Sequence, residues 1–148
     1  MELAFGKGAV VEMQPLFLSA AQKAAIEQLA HVSLDSSLYT FYVGKREGQI
    51  LGYAAIETHT VRTKPETLLI VLDATGRLRH IEVLAFHEPP EYQPPPKWFA
   101  RLLEVPLEEM RLGGGVDGVS GATLSAQAAT DSVRKVLAIY RVAIAGGK

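Results

Sequence analysis

From Leu38 the chain alternates apolar and polar residues at the period of a strand, and beyond Thr123 the period lengthens to that of a helix. Leu38 to Val43 is rich in aromatic and β-branched residues and predicts a strand. Gly44 to Gly48 predicts a turn, and Ile50 to Val61 a second, longer strand. Thr67 to Leu72 predicts a third, apolar enough to be buried on both faces. Asp73-Ala74-Thr75-Gly76 is turn chemistry, and Leu78 to Phe86 alternates as a fourth strand. Two hairpins in succession leave no room for a crossover helix, so the sheet is antiparallel.

Helices flank this meander. Ser19-Ala20-Ala21-Gln22 predicts a helix start of the capping-box kind, with Leu16 to Leu18 as an apolar staple before it. Ala25, Ile26, Leu29 and Val32 mark its apolar face, and His31 reads as a surface or cap residue. Glu88 to Lys97 holds five prolines and predicts a stiff, extended loop. Pro96 suits the first turn of a short helix, Lys97 to Leu103, that carries Trp98 and Phe99. Pro106 to Leu112 predicts another turn or two, and Ala129, Val133, Val136, Leu137, Tyr140 and Ile144 then recur at helical spacing. The pattern predicts one α+β domain over residues 1–148: a twisted antiparallel sheet flanked by helices, with a C-terminal helix. Residues 1–36 read as an N-terminal extension and helix, and 37–145 as the core.

Composition narrows the chemistry. At 148 residues and 48% hydrophobic content, the chain can bury a true core. Fifteen basic and sixteen acidic residues leave a net charge of −1 with no block of one sign, which argues against a nucleic-acid partner. The absence of cysteine excludes disulfides, thiolate metal sites and thiol catalysis. No apolar run reaches the ~18 residues a membrane span needs. Met1 to Val11 lacks the basic front and uninterrupted apolar stretch of a signal peptide. His31, His59, His80 and His87 lie on separate predicted elements without the spacing of a zinc site.

The sharpest feature is the junction before the last helix. Gly113, Gly114 and Gly115 lead into Asp117-Gly118-Val119-Ser120-Gly121-Ala122-Thr123. A run so rich in glycine is a loop whose backbone can approach a ligand closely. Thr123 sits at or just inside a helix N-terminus, where unpaired N–H groups and the helix dipole favour an anion, above all a phosphate. Gly113-x-Gly115-x-x-Gly118 matches the dinucleotide fingerprint only literally, since no strand leads into it and no acid follows about twenty residues later. Gly118-Val119-Ser120-Gly121-Ala122 fails the nucleophile elbow because its final glycine is misplaced.

Asp117-x-x-Ser120-Gly121-Ala122-Thr123 resembles the flavinylation motif of FMN-binding domains, of the kind found in the RnfG and NqrC subunits of ion-pumping electron-transport complexes. The meander resembles that family as well, through Ile50-Leu51-Gly52-Tyr53, Leu68 to Asp73, Gly76, and Phe86-His87-Glu88-Pro89, so the likeness spans roughly Leu38 to Tyr140. Many relatives carry Thr and Gly where Pro89 and Pro90 stand.

The resemblance implies FMN joined to the Thr123 hydroxyl by a phosphoester bond. A separate flavin transferase would make that bond, with FAD as donor. Ser120, Gly121, Ala122, Leu124 and Ser125 would line the attachment point, with Asp117 ordering the loop or meeting the transferase. His87 and Glu88 are candidates for a wall of the flavin pocket, and Trp98, with Phe99 and Tyr92, for stacking on the ring. The implied function is electron carriage between redox partner proteins, in a membrane electron-transport complex and outside the cytoplasm as is usual for such relatives. The chain would then be a carrier rather than an enzyme. Two rival readings stand beside this one: a module holding FMN or another phosphate non-covalently, and a docking domain without a cofactor.

Overall fold

The computed structural model describes the chain except for residues 1–4, 7, 62, 114, 117, 119–121 and 146–148. Among the described residues, five strands form one antiparallel sheet in chain order: β1 (Val10–Phe17), β2 (Leu38–Arg46), β3 (Gln49–Val61), β4 (Lys64–Asp73) and β5 (Leu78–Phe86). Helix α1 (Ala20–Ala30) connects β1 to β2, and α2 (Pro96–Leu102) follows the proline loop. Helix α3 (Thr123–Ile139) runs on into a π-helical turn, Tyr140–Ala145. Short 3-10 turns lie at Pro90–Tyr92 and Leu107–Glu109. The fold is α+β, as the pattern predicts.

Strand β1 is an addition to the four that the pattern predicts. Only Val11 and Leu16 are half-buried, and its other residues are exposed. A strand paired along one edge buries too little for alternation to show, and Pro15 is tolerated there because an edge amide needs no ladder partner. Leu16 therefore pairs with Tyr39 across the sheet, while Leu18 enters the core. The segment that reads as an N-terminal extension is thus built into the same sheet and core as the rest. The predicted turn over Gly44 to Gly48 is also shorter in the structure. Glu47 and Gly48 alone form it, both at positive φ (52° and 79°), a two-residue geometry whose twist suits the flanking strands. Gly44 remains inside β2, where the ring of Phe5 occupies the space a side chain would need.

Helix α1 begins with the predicted reciprocal cap. The Gln22 amide donates to Ser19 Oγ at 3.1 Å, and the Ser19 amide donates to Gln22 Oε1 at 2.9 Å. His31 closes the helix in the left-handed region (φ 55°). Ile26 and Ala30 are buried, but Leu29 is 37% exposed. Helix α1 packs chiefly on α3 rather than on the sheet, so a narrower stripe is covered than the pattern suggests.

One face of the sheet (Phe41, Tyr53, Ala55, Leu68, Ile70 and Leu72) packs against the helices, with Val133, Val136 and Leu137 of α3 at the centre. On the other face, Ala54, Leu69 and Val71 are covered by Phe5. Strand β4 is accordingly buried on both sides, which explains its unbroken apolar run. Buried Arg134 of α3 fastens three elements together. Its Nε donates to the Ala30 carbonyl that ends α1, its Nη1 to the Met110 carbonyl at 2.9 Å, and its Nη2 to Asp131 Oδ1 at 2.7 Å.

Candidate functional site

Thr123 is the first residue of α3, as its spacing predicts. Ala122 precedes it at φ −131° and provides the carbonyl for the first helical bond, from the Ala126 amide at 2.9 Å. A preceding alanine has no side-chain oxygen to accept from the first-turn amides, and the first turn contains no acidic residue. The amino end of a 17-residue helix is thus left with its positive end uncompensated by its own side chains.

Within that turn the side chains have opposite fates. Thr123 and Leu124 face outward and are exposed, while Ala122 and Ser125 turn inward. Ser125 is 1% exposed, and among the described residues its hydroxyl has no hydrogen-bond partner. Thr123 is therefore a surface residue, whereas Ser125 is buried beneath the helix. Asp117, Ser120 and Gly121 lie outside the described residues.

The course of α3 over the sheet can be followed from its contacts. The Tyr140 ring packs against Gly76 in the β4–β5 turn and, edge to face, on Tyr53 of β3 at 5.2 Å. Further toward the N-terminus, Lys135 Nζ donates to Glu57 Oε1 at 3.2 Å, and Ser132 Oγ lies 2.8 Å from His59 Nδ1. Each contact moves along β3 toward Val61. Thr123 is therefore carried toward the end of the sheet where the β3–β4 hairpin closes and β5 ends. The Pro90–Tyr92 turn also touches α3. The structure thus gathers the amino end of α3, the proline loop and the end of β5 at one end of the molecule.

At that end His87 is exposed, and its amide donates to the Pro65 carbonyl at 3.4 Å. Glu88 is buried and has a structural task. Its Oε1 accepts from the Thr63 and Lys64 amides, both at 3.0 Å, and from Thr63 Oγ1 at 3.3 Å. Trp98 is 4% exposed within the main core, edge-on to Phe99 with ring centroids 5.1 Å apart. A cleft of about 530 Å³ lies at the far end of α3, lined by Gly76, Arg77, Leu78, Tyr140 and Arg141 among others, well away from Thr123.

A buried polar group escaped the sequence reading. His59 Nε2 lies 2.6 Å from Glu66 Oε1, so Ser132, His59 and Glu66 form one chain of hydrogen bonds between α3 and the sheet. Beside it, the Tyr39 hydroxyl donates to Glu57 Oε2 at 2.6 Å, and the Lys135 ammonium lies 5.5 Å from the centre of the Tyr39 ring. Burial, and then the Glu57 carboxylate, hold the Tyr39 phenol well above its ordinary pKa, so it stays protonated. The legible signal was the hairpin register. A turn just after Val61 pairs His59 with Glu66 directly across the strands.

Among the described residues, no group of three His, Cys, Asp or Glu could hold a metal, and no helix is long and apolar enough to cross a membrane. No curated protein and no solved structure matches the chain. A family model described as an FMN-binding domain matches residues 63–138, just over half of the chain. That span runs from the closing of the β3–β4 hairpin through the proline loop to the end of α3, with Thr123 inside it. The chain belongs to the FMN-binding domain family.

Proposed function

We propose that this domain carries FMN covalently on Thr123 and passes electrons between redox partner proteins. The observation that carries the reading is the contrast within the first turn of α3: an exposed Thr123 at the positive end of a long helix, beside a buried Ser125. The residues present suit the group. A phosphodiester on Thr123 would place its negative charge at the positive end of the helix, with no carboxylate in that turn to repel it. Leu124, 57% exposed, would lie beside it. The flavin supplies reversible electron uptake; this chain's residues anchor it, set the charge around it and leave a partner access to it.

Attachment requires a separate flavin transferase with FAD as the second substrate. The Thr123 oxygen would replace AMP on the FMN phosphate, the pyrophosphate bond breaking and the hydroxyl proton leaving to solvent. The redox partners, in this reading, belong to a membrane electron-transport complex outside the cytoplasm. Expression with and without such a transferase, followed by a denaturing gel viewed under ultraviolet light, tests attachment. A fluorescent band that requires both the transferase and Thr123 supports the proposal. Flavin that binds the folded chain but leaves on denaturation would replace it with non-covalent binding.

A further inference from the structure

The two faces of the sheet differ in charge as well as in cover. Val11, Tyr42, Ala54, Leu69 and Val71 mark the face away from the helices, so alternation places Met13, Phe17, Leu38 and Ile56 on it too. Glu12, Glu57, His59 and Glu66 alternate onto the helix side. Lys45, Arg46, Lys64 and Asp73 stand at hairpin ends. Among the described residues of β1 to β4, the outward face between its hairpin ends therefore carries no charge. Two of its hydroxyls serve each other, Thr58 Oγ1 lying 3.0 Å from Thr67 Oγ1. The ionic pair that this face does carry, His80–Glu82 at 2.9 Å, lies on the outermost strand β5.

One half of this face is covered, since Phe5 packs on Gly44, Ala54, Leu69 and Val71. The other half is bare. Phe17 is 80% exposed, more than any other large apolar residue described, and Met13, Leu38 and Ile56 are 66%, 48% and 43% exposed. Phe17 stands directly opposite Leu38, and Met13 opposite Tyr42, so these side chains form one patch. A monomer exposes a contiguous apolar patch of this kind chiefly where something docks.

We propose that the bare face docks a second copy of the chain, sheet against sheet about a two-fold axis. A charged occupant would leave its ions unpaired here, and burying an unpaired charge is strongly unfavourable. The same face of another copy brings no charge. Two antiparallel sheets of equal twist stack in alignment about 10 Å apart, with their side chains interdigitated. Two-fold pairing buries Phe17 and Leu38 of both protomers in one contact, with His80 and Glu82 as a polar rim. The bare part spans four strands and five residues of β1, roughly 19 by 16 Å. With its side-chain relief this approaches the ~500 Å² per partner at which a specific interface begins, so the dimer is weak and depends on concentration. Edge-to-edge pairing through β1 is less suited, because Pro15 offers no N–H there. Stacking by this face leaves both helix layers outward and the amino end of α3 open, and it does not depend on flavin attachment.

Sedimentation velocity of the full chain between about 10 μM and 1 mM tests this. The mass should rise from 16.0 kDa toward twice that value. Phe17→Lys, which sets like charges against each other, should weaken association by about tenfold or more. Leu29→Gln, at an exposed apolar residue of the helix layer, should associate like the unsubstituted chain. Amide NMR shifts followed on dilution of the unsubstituted chain decide the matter even where Phe17→Lys does not fold. Ile56 belongs to a central strand, so its shift moves together with that of Phe17 only if the face itself is covered. A mass of 16.0 kDa at every concentration overturns the proposal. So does a dimer whose shift changes are confined to β1, or a monomer that inserts Phe17 into phosphatidylcholine vesicles instead.

Discussion

Glu88 reaches from the end of β5 to Thr63 in the β3–β4 hairpin, its Oε1 3.0 Å from that residue's amide nitrogen. The same oxygen takes the Lys64 amide, so one buried carboxylate satisfies two backbone donors at the turn. Glu88→Ala leaves both donors without that partner and should cost about 1–3 kcal/mol of stability. Glu88→Gln, which keeps an acceptor oxygen, should cost less. Denaturant unfolding of the two variants checks this. An unchanged midpoint in Glu88→Ala would mean that the turn does not depend on the carboxylate.

Arg134 should be among the least replaceable side chains outside the flavin site. Arg134→Met removes donors from the Ala30 and Met110 carbonyls and is expected to destabilise the fold by about 2–4 kcal/mol. Arg134→Lys should recover little of this, because a single ammonium cannot address both carbonyls and Asp131 at once. Thermal melting of the three proteins measures the difference.

Gly76 occupies φ +87° with the Tyr140 ring packed against it. Gly76→Ala therefore meets both backbone strain and a steric collision, and about 1–3 kcal/mol should be lost. Gly48→Ala, at φ +79° with open space around it, should show the backbone part alone. Equal losses at the two positions would argue that Tyr140 yields freely.

Asp73 supplies the expected pH dependence. Burial pushes its carboxyl upward, but hydrogen bonds from the Thr75 hydroxyl and the Arg77 and Thr75 amides together outweigh that, and its pKa lies below the ordinary value. A group depressed in the folded state stabilises the fold above its unfolded pKa and loses that contribution as pH falls through the folded one. Stability should thus decline on acidification below about pH 4, and Asp73→Asn should flatten that acid limb. The two curves of melting temperature against pH would coincide in shape if the turn gained nothing from the charge.

Much of this architecture is readable from residue order. Ser19 and Gln22 announce a helix start by local chemistry, and the buried β4 declares itself by an unbroken apolar run. Strand β1 does not, because an edge strand is specified by its neighbour's hydrogen bonds rather than by its own pattern. The candidate site divides in the same way. Thr123 is legible because the end of a glycine-rich loop and the start of a helix are both local signals. The tasks of Glu88 and His59 depend on which strands stand side by side, at sequence separations of 25 and 73 residues from Thr63 and Ser132. Trp98 is legible as an aromatic, but only the packing of α2 shows that it lies in the core with Phe99.

The central claim is that Thr123 is the flavin acceptor, and peptide mass mapping after coexpression with a flavin transferase tests it most directly. One FMN phosphoester should appear on the peptide containing Thr123, disappear in Thr123→Val, and persist in Ser120→Ala and Ser125→Ala. Modification at Ser125, or a chain of unmodified mass that holds FMN only while folded, would contradict it.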